Sequence, residues 1–251
     1  MAPGTGQPVI VTEKLTKRFG SFIAANELTF QVEQGEIFGF LGANGAGKTT
    51  AMRMLCGLSI PSSGHATIAG LDVYKDSENI KKSIGYMSQR FSLYDDLTIT
   101  ENIRFFGGIY GLTNRQIAGK TDELLHQLGL FDERNKLVGS LPLGWKQKLA
   151  FSVAIVHDPS VVFLDEPTSG VDPLVRRQFW DLIYAASAKG VTIFITTHYM
   201  DEAEYCNRIS IMVDGVIRAL DSPTELKRIY TASSMHEVFY ALARSATRSA
   251  D

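Results

Sequence analysis

The sequence predicts an α/β fold, from two kinds of segment that alternate along the chain. Residues 36–42 (EIFGFLG), 161–166 (VVFLDE) and 191–197 (VTIFITT) are short, nearly continuous apolar runs, the pattern of parallel strands covered on both faces. AMRMLCGL after the first run, and TITENIRFFGGIYGL, NRQIAGKTDELLHQLGL and GWKQKLAFSVAIV before the second, repeat apolar residues at helical spacing.

In chain order, VIVTEKLTKRF and NELTFQVEQGE come first and alternate polar with apolar residues, which predicts an antiparallel β part. The buried run EIFGFLG leads into GANGAGKTT, Gly42 to Thr50, and then into the helical segment. This stretch fits G-x-x-x-x-G-K-[ST] without a mismatch, and its strand–loop–helix setting is the one that gives the pattern its meaning. Gly42, Gly45 and Gly47, with Asn44 and Ala46 between them, let the backbone bend so that its N–H groups converge on phosphate oxygens. Lys48 is placed to reach the β- and γ-phosphates and Thr49 to ligate Mg²⁺. The helix that begins near Thr50 aims its positive end at the anion.

From about 90 to 158 the character turns helical, so a helical subdomain is expected as an insertion in the α/β lobe. VVFLDE then returns to the buried pattern and ends in two carboxylates, where α/β sheets collect ligands. Strand alternation sends Asp165 and Glu166 in different directions, with Asp165 expected to serve the metal and Glu166 to polarise an attacking water. The tail TELKRIYTASSMHEVFYALARSA reads as one or two amphipathic helices around a Ser-containing break.

Of the 251 residues, 45% are hydrophobic and 21% charged, with a net charge of −2. That balance gives no basic footprint for nucleic acid, and none is expected as a partner. Cys56 and Cys206 stand far apart without metal or disulfide spacing, as reduced packing residues of the cytosol do. MAPGTGQP lacks a secretory pattern and reads as a disordered lead-in, and no apolar run reaches the roughly 18 residues of a membrane span.

With these motifs placed, the chain resembles the nucleotide-binding subunits of ATP-binding cassette (ABC) transporters, within the P-loop NTPases. It looks most like those paired with ABC-2 type export permeases, through FSLYDDLTITENIRFFGGIYGL, DEPTSGVDP and TTHYMDEAEYCNRI. The resemblance implies an ABC ATPase domain over 8–226 and a C-terminal helical tail over 227–251. It assigns Phe19 to stacking on adenine and Gln89 to Mg²⁺ and the attacking water. Asp172 becomes the acidic member of a loop facing a dimer interface, and His198 the switch residue on the γ-phosphate.

The same resemblance implies ATP and Mg²⁺ as ligands and a second cassette facing the first head to tail. It also implies an integral membrane permease, received near Gln89 on Phe91, Leu93 and Tyr94, and a peripheral place on the cytoplasmic face of the membrane. In SLPLGWKQK, Leu141, Pro142, Leu143, Gly144 and Trp145 occupy the places of the family's L-S-G-G-Q. Gly144 is thereby a contact to the partner's nucleotide, and Pro142 stands where a serine would give two hydrogen bonds; its fixed φ suits the first turn of a helix. Two other readings fit the residues: a soluble ABC ATPase acting on ribosomes or nucleic acid, and a weakly hydrolysing regulatory cassette.

Overall fold

A computed structural model describes residues 8–89 and 93–245. Residues 1–7 of the expected lead-in, Phe91, and the end of the tail from 246 lie outside the described residues.

The antiparallel part is a long hairpin, β1 (Pro8–Phe19) and β2 (Phe22–Glu33), closed by Gly20 in the left-handed region at φ 60°. After β3 (Ile37–Leu41) and α1 (Lys48–Leu55) the chain returns to it with β4 (Ser63–Ile68) and β5 (Leu71–Asp72), giving a sheet of order β2-β1-β4-β5. Helix α2 (Ser77–Ser83) leads to β6 (Ile84–Met87). Three helices follow before the next strand: α3 (Ile99–Ile109), α4 (Asn114–Leu128) and α5 (Leu143–Ala154). Their boundaries are set by local chemistry. Thr98 with Glu101 and Thr113 with Gln116 form reciprocal caps, satisfying N–H groups that the helix itself leaves open, and Gly129 ends α4 at φ 67°.

The remaining elements are β7 (Val161–Asp165), α6 (Pro173–Ala188), β8 (Thr192–Thr197), α7 (Met200–Ala203), β9 (Arg208–Val213), β10 (Val216–Asp221), α8 (Pro223–Ile229) and α9 (Met235–Ser245). A second sheet has the order β10-β9-β3-β8-β7-β6, parallel from β9 to β6, with β10 antiparallel at one edge. The loops after β3, β7 and β8, and the segment after β6, therefore leave the same edge of the sheet, where side chains from distant parts of the chain meet.

Between the two sheets lies an aromatic core. Phe30 of the first stacks on Phe38 of the second at 5.4 Å, with Phe40 and Phe194 around them. A second cluster joins the three inserted helices and α6 to the other face of the large sheet. Cys56 and Cys206 are both buried, and burial raises both thiols above their ordinary value, which fits packing rather than reactivity.

The tail is less separate than the sequence suggests. Met235, Val238 and Leu242 of α9 are buried with Leu41, Ile209 and Ile211, so this helix covers the end of β3 just before the glycine-rich loop. Leu93, expected on a receiving surface, is 7% exposed and belongs to the inserted helices' core, whereas Tyr94 is exposed. Pro142 occupies the position before α5 rather than its first turn, contributing its carbonyl to Trp145 N at 3.0 Å and Lys146 N at 3.1 Å. Asp172 caps α6, accepting from the N–H groups of Leu174 and Val175 at 3.0 and 3.1 Å.

Candidate nucleotide-hydrolysis site

The loop between β3 and α1 can be built only with glycine at its sharpest point. Gly45 and Gly47 have φ of 81° and 100°, and a Cβ at Gly47 would lie 2.1 Å from the carbonyl oxygen of Ala24. The turn between β9 and β10 fixes the loop from outside: Gly215 N–H donates to Ala46 O at 3.1 Å, and its own carbonyl accepts from Asn26 N–H at 2.8 Å. No side chain caps the first turn of α1, which leaves its N–H groups for an anion.

Lys48 is 4% exposed and arches back over this loop. Its Nζ donates to Gly42 O at 2.8 Å and Ala43 O at 3.1 Å and stands 3.4 Å from Glu166 Oε1. Burial lowers its pKa from the ordinary lysine value, and the Glu166 and Asp165 carboxylates counter that shift. Asp165 ends β7 with its Oδ1 accepting from Thr196 Oγ1 at 2.6 Å and from Thr49 Oγ1 at 3.1 Å. The facing hydroxyl and carboxylate are hard oxygen donors of the kind Mg²⁺ takes in phosphate sites, where it keeps waters and substrate oxygens as its other ligands. The donor set therefore fits the metal.

Glu166 leaves the strand at φ 48°, a left-handed conformation that costs a non-glycine residue roughly 1–2 kcal/mol. Its N–H is held by both the carbonyl and Oγ1 of Thr196, each at 3.1 Å. The turn directs the carboxylate away from Asp165, the divergence expected from strand alternation but reached by leaving the strand. Glu166 is 8% exposed; Oε2 accepts from Gln89 Nε2 at 3.1 Å and lies 2.9 Å from His198 Nδ1. With Glu166 ionised, Nδ1 carries the proton and donates.

Lys48, Thr49, Gln89, Asp165, Glu166 and His198, taken from four separate stretches of sequence, thus form one connected group. Gly42, Asn44 and Ala46 lie in the loop itself, and Thr50 in the first turn of α1. Phe19 and Gly144 are outside the hydrogen-bonded group. Phe19 sits at the hairpin tip, 56% exposed, beside Phe22 at 63%, and Phe22 lies two residues from the Ala24 carbonyl that abuts Gly47. An aromatic face is therefore available next to the loop. Gly144 packs on α6, where a Cβ would meet Val175 Cγ1 at 2.3 Å.

Sequence reasoning missed Thr196, which Asp165 faces across the β7–β8 ladder; the register that pairs them is not written in either run. It also missed Glu202, 0% exposed and bonded to Thr168 and Thr197.

Comparison with known proteins shows the family. Residues 25–169 match the family model described as ABC transporter. The chain is 48% identical over 222 residues to the probable multidrug ABC transporter ATP-binding protein YbhF of Escherichia coli (strain K12), covering 88% of this chain and 38% of that protein. It is 38% identical over 224 residues to the Nod factor export ATP-binding protein I of Rhizobium sp. (strain N33), covering 89% of this chain and 74% of the relative. A solved ATP-binding subunit of an ABC transporter superposes with a TM-score of 0.84 at 26% identity, over 93% of this chain and 99% of that one. The chain spans well under half of YbhF and 12% of the rat ATP-binding cassette sub-family A member 17. By sequence, fold and the arrangement of its phosphate loop, this chain belongs to the ABC transporter family as an ATP-binding domain.

Proposed function

We propose that the chain binds and hydrolyses ATP with Mg²⁺, as one of two head-to-tail cassettes that power an ABC-2 type export permease for drugs or lipids. The observation that carries the reading is the Glu166 carboxylate, nearly buried and contacted by Lys48, Gln89 and His198. A carboxylate held this way is oriented to accept a proton from water. Lys48 now spends its three donors on loop carbonyls and Glu166; turning toward a bound γ-phosphate exchanges those contacts for a stronger, doubly charged one. His198 Nδ1 and Gln89 Nε2 fix where the Glu166 oxygen points, the imidazole also serving the γ-phosphate and the Gln89 amide the metal and the attacking water. Thr49 and Asp165 would hold Mg²⁺, whose chemistry when bound is to offset charge on the phosphate oxygens.

The export role draws on the relatives, named as a probable multidrug ABC transporter ATP-binding protein and a Nod factor export ATP-binding protein. The permease is drawn from the same relatives, which are ATP-binding proteins of transport systems; no helix among the described residues is long and apolar enough to cross a membrane. Its receiving surface is assigned to Tyr94, Phe105 and Ile109, which are 46%, 42% and 59% exposed. The first two rings meet edge to face at 5.0 Å. This docking puts the cassette on the cytoplasmic face of the membrane.

The regulatory alternative keeps one observation in its favour: Pro142, the residue before α5, has neither an N–H nor a hydroxyl to donate, so the signature segment brings fewer donors to a partner's nucleotide.

Phosphate release by the protein purified with its permease tests the assignment. Lys48→Ala is expected to abolish release and to weaken nucleotide binding. Parental release from that variant would remove the phosphate-loop assignment, and nucleotide binding without release by the parent would favour the regulatory reading.

A further inference from the structure

Glu202 stands four residues beyond His198 and is completely buried, 0% exposed. Its Oε1 accepts from Thr168 Oγ1 and, at 3.4 Å, from Trp180 Nε1. Its Oε2 accepts from Thr197 Oγ1, and that hydroxyl oxygen in turn accepts from Tyr199 N–H at 3.0 Å. Arg176 Nε lies 3.8 Å from Oε1 and, though buried, makes no hydrogen bond. The Arg176 guanidinium covers the Tyr199 ring at 4.0 Å, and that ring lies 4.2 Å from the His198 imidazole.

Burying a carboxylate is expensive unless its lone pairs are filled and its charge is offset. Here every filling group comes from a different element: the loop after β7, the end of β8, and α6. Thr168 is two residues after Glu166, and Thr197 directly precedes His198. The carboxylate therefore ties together the two backbone segments that present Glu166 and His198, whose side chains meet at 2.9 Å.

We infer that Glu202 is a positioning residue for hydrolysis: by holding Thr168 and Thr197 on its two oxygens it sets the register of Glu166 against His198. This rests on the hydrolytic reading of those two residues. Both threonine hydroxyls point their protons at a carboxylate. In Glu202→Gln one oxygen becomes an NH₂ group that cannot accept, so one hydroxyl loses its bond to a charged acceptor and must reverse to accept from the neutral amide, which loosens its segment. A displacement on the order of an ångström at a reacting pair costs about a hundredfold in rate, so a partial release is expected to cost about tenfold or more. Binding of the nucleotide, which depends on the loop and α1, is untouched.

The test uses the full chain and four proteins: parent, Glu202→Gln, Thr168→Val and Thr168→Ser. Three quantities are measured: kcat for phosphate release, affinity for a fluorescent ATP analogue with Mg²⁺, and the ring ¹⁵N signals of His198 by NMR. Glu202→Gln and Thr168→Val are expected to lose about tenfold or more in kcat, to keep parental affinity, and to shift the His198 ring signals. Thr168→Ser, which keeps the hydroxyl, is expected to match the parent. Parental kcat and unmoved ring signals in both Glu202→Gln and Thr168→Val would overturn the inference, as would loss of activity in Thr168→Ser equal to that in Thr168→Val. If Glu202→Gln fails to fold, the valine and serine variants decide. A parent that binds the analogue but releases no phosphate sinks the hydrolytic reading instead, and the ring signals still test the positioning.

Discussion

His198 Nδ1 lies 2.9 Å from Glu166 Oε2, across 32 residues of sequence. The contact joins the residue assigned to water activation with the residue assigned to sensing the γ-phosphate. A proton on Nδ1 is needed to make it a hydrogen bond, and the same oxygen also accepts from Gln89. One carboxylate oxygen is thereby held from two sides while Oε1 faces Lys48.

Glu166→Gln keeps the size of this side chain and its ability to accept from one neighbour, but an amide cannot take a proton from water. Phosphate release is expected to fall by about a hundredfold or more, while ATP binding persists and the ATP-bound dimer lives longer. Size-exclusion chromatography with Mg²⁺ and ATP, run beside a phosphate-release assay, checks both parts. Parental turnover by this variant would mean that another group activates the water.

The parts of the site that lie within one continuous motif were legible in the sequence. Gly42–Thr50 could be read because strand, loop and helix are contiguous. Asp165 and Glu166 could be read because they close a buried run, whereas His198 and Gln89 were assigned only through the family resemblance. The strand ends were missed by a residue: Glu36, Gly42 and Glu166 fall outside β3 and β7, since polar and glycine residues flanking a strand look the same as its last pair. What the sequence does not carry is the pairing between segments. Thr196 reaches Asp165 only through the register of two parallel strands. Glu202 lies in the polar-looking stretch MDEAEYC, which shows no sign that one carboxylate is fully buried. The packing of α9 on Leu41 was hidden for the same reason, because an amphipathic helix does not state which surface it covers.

A pH dependence of stability is expected from His157. Its ring stacks on Tyr110 with centroids 3.6 Å apart, and burial lowers its pKa from 6.5 to about 4. The Ile84 backbone and then Asp158 favour the charged form and Lys120 opposes it, Asp158 and Lys120 being ion-paired. Between these values the unfolded chain binds a proton that the folded chain refuses. This contribution is therefore complete above pH 6.5, declines as pH falls, and is gone below about 4. For a half-buried ring, after allowance for solvent screening, it amounts to about 1–2 kcal/mol. His157→Phe keeps the stacking and leaves no buried ring nitrogen without a partner. Urea midpoints measured from pH 7.5 to 4 should fall more steeply for the parent than for this variant; parallel curves would remove His157 as the cause.

Pro142→Ser tests the weak point of the partner-facing surface. In the structure Pro142 precedes α5 with φ −57° and no side-chain cap. A serine there can accept from the N–H groups of the first turn, worth roughly 0.5–2 kcal/mol. Losing the proline frees the unfolded chain and costs about 0.4–1 kcal/mol. The two changes nearly offset, so the melting temperature of the isolated chain should move little. The hydroxyl also restores a donor at the place where the resemblance puts a contact to the opposite cassette's γ-phosphate. A hydrogen bond to a charged group contributes roughly 1.5–3 kcal/mol, so the gain should appear in turnover and in the lifetime of the ATP-bound dimer rather than in thermal stability. If neither turnover nor dimer lifetime rises in the serine variant while folding is intact, the hydroxyl at this position has no part in closing the dimer, and this chain's contribution to the partner's nucleotide comes from the backbone of α5, Gly144 included.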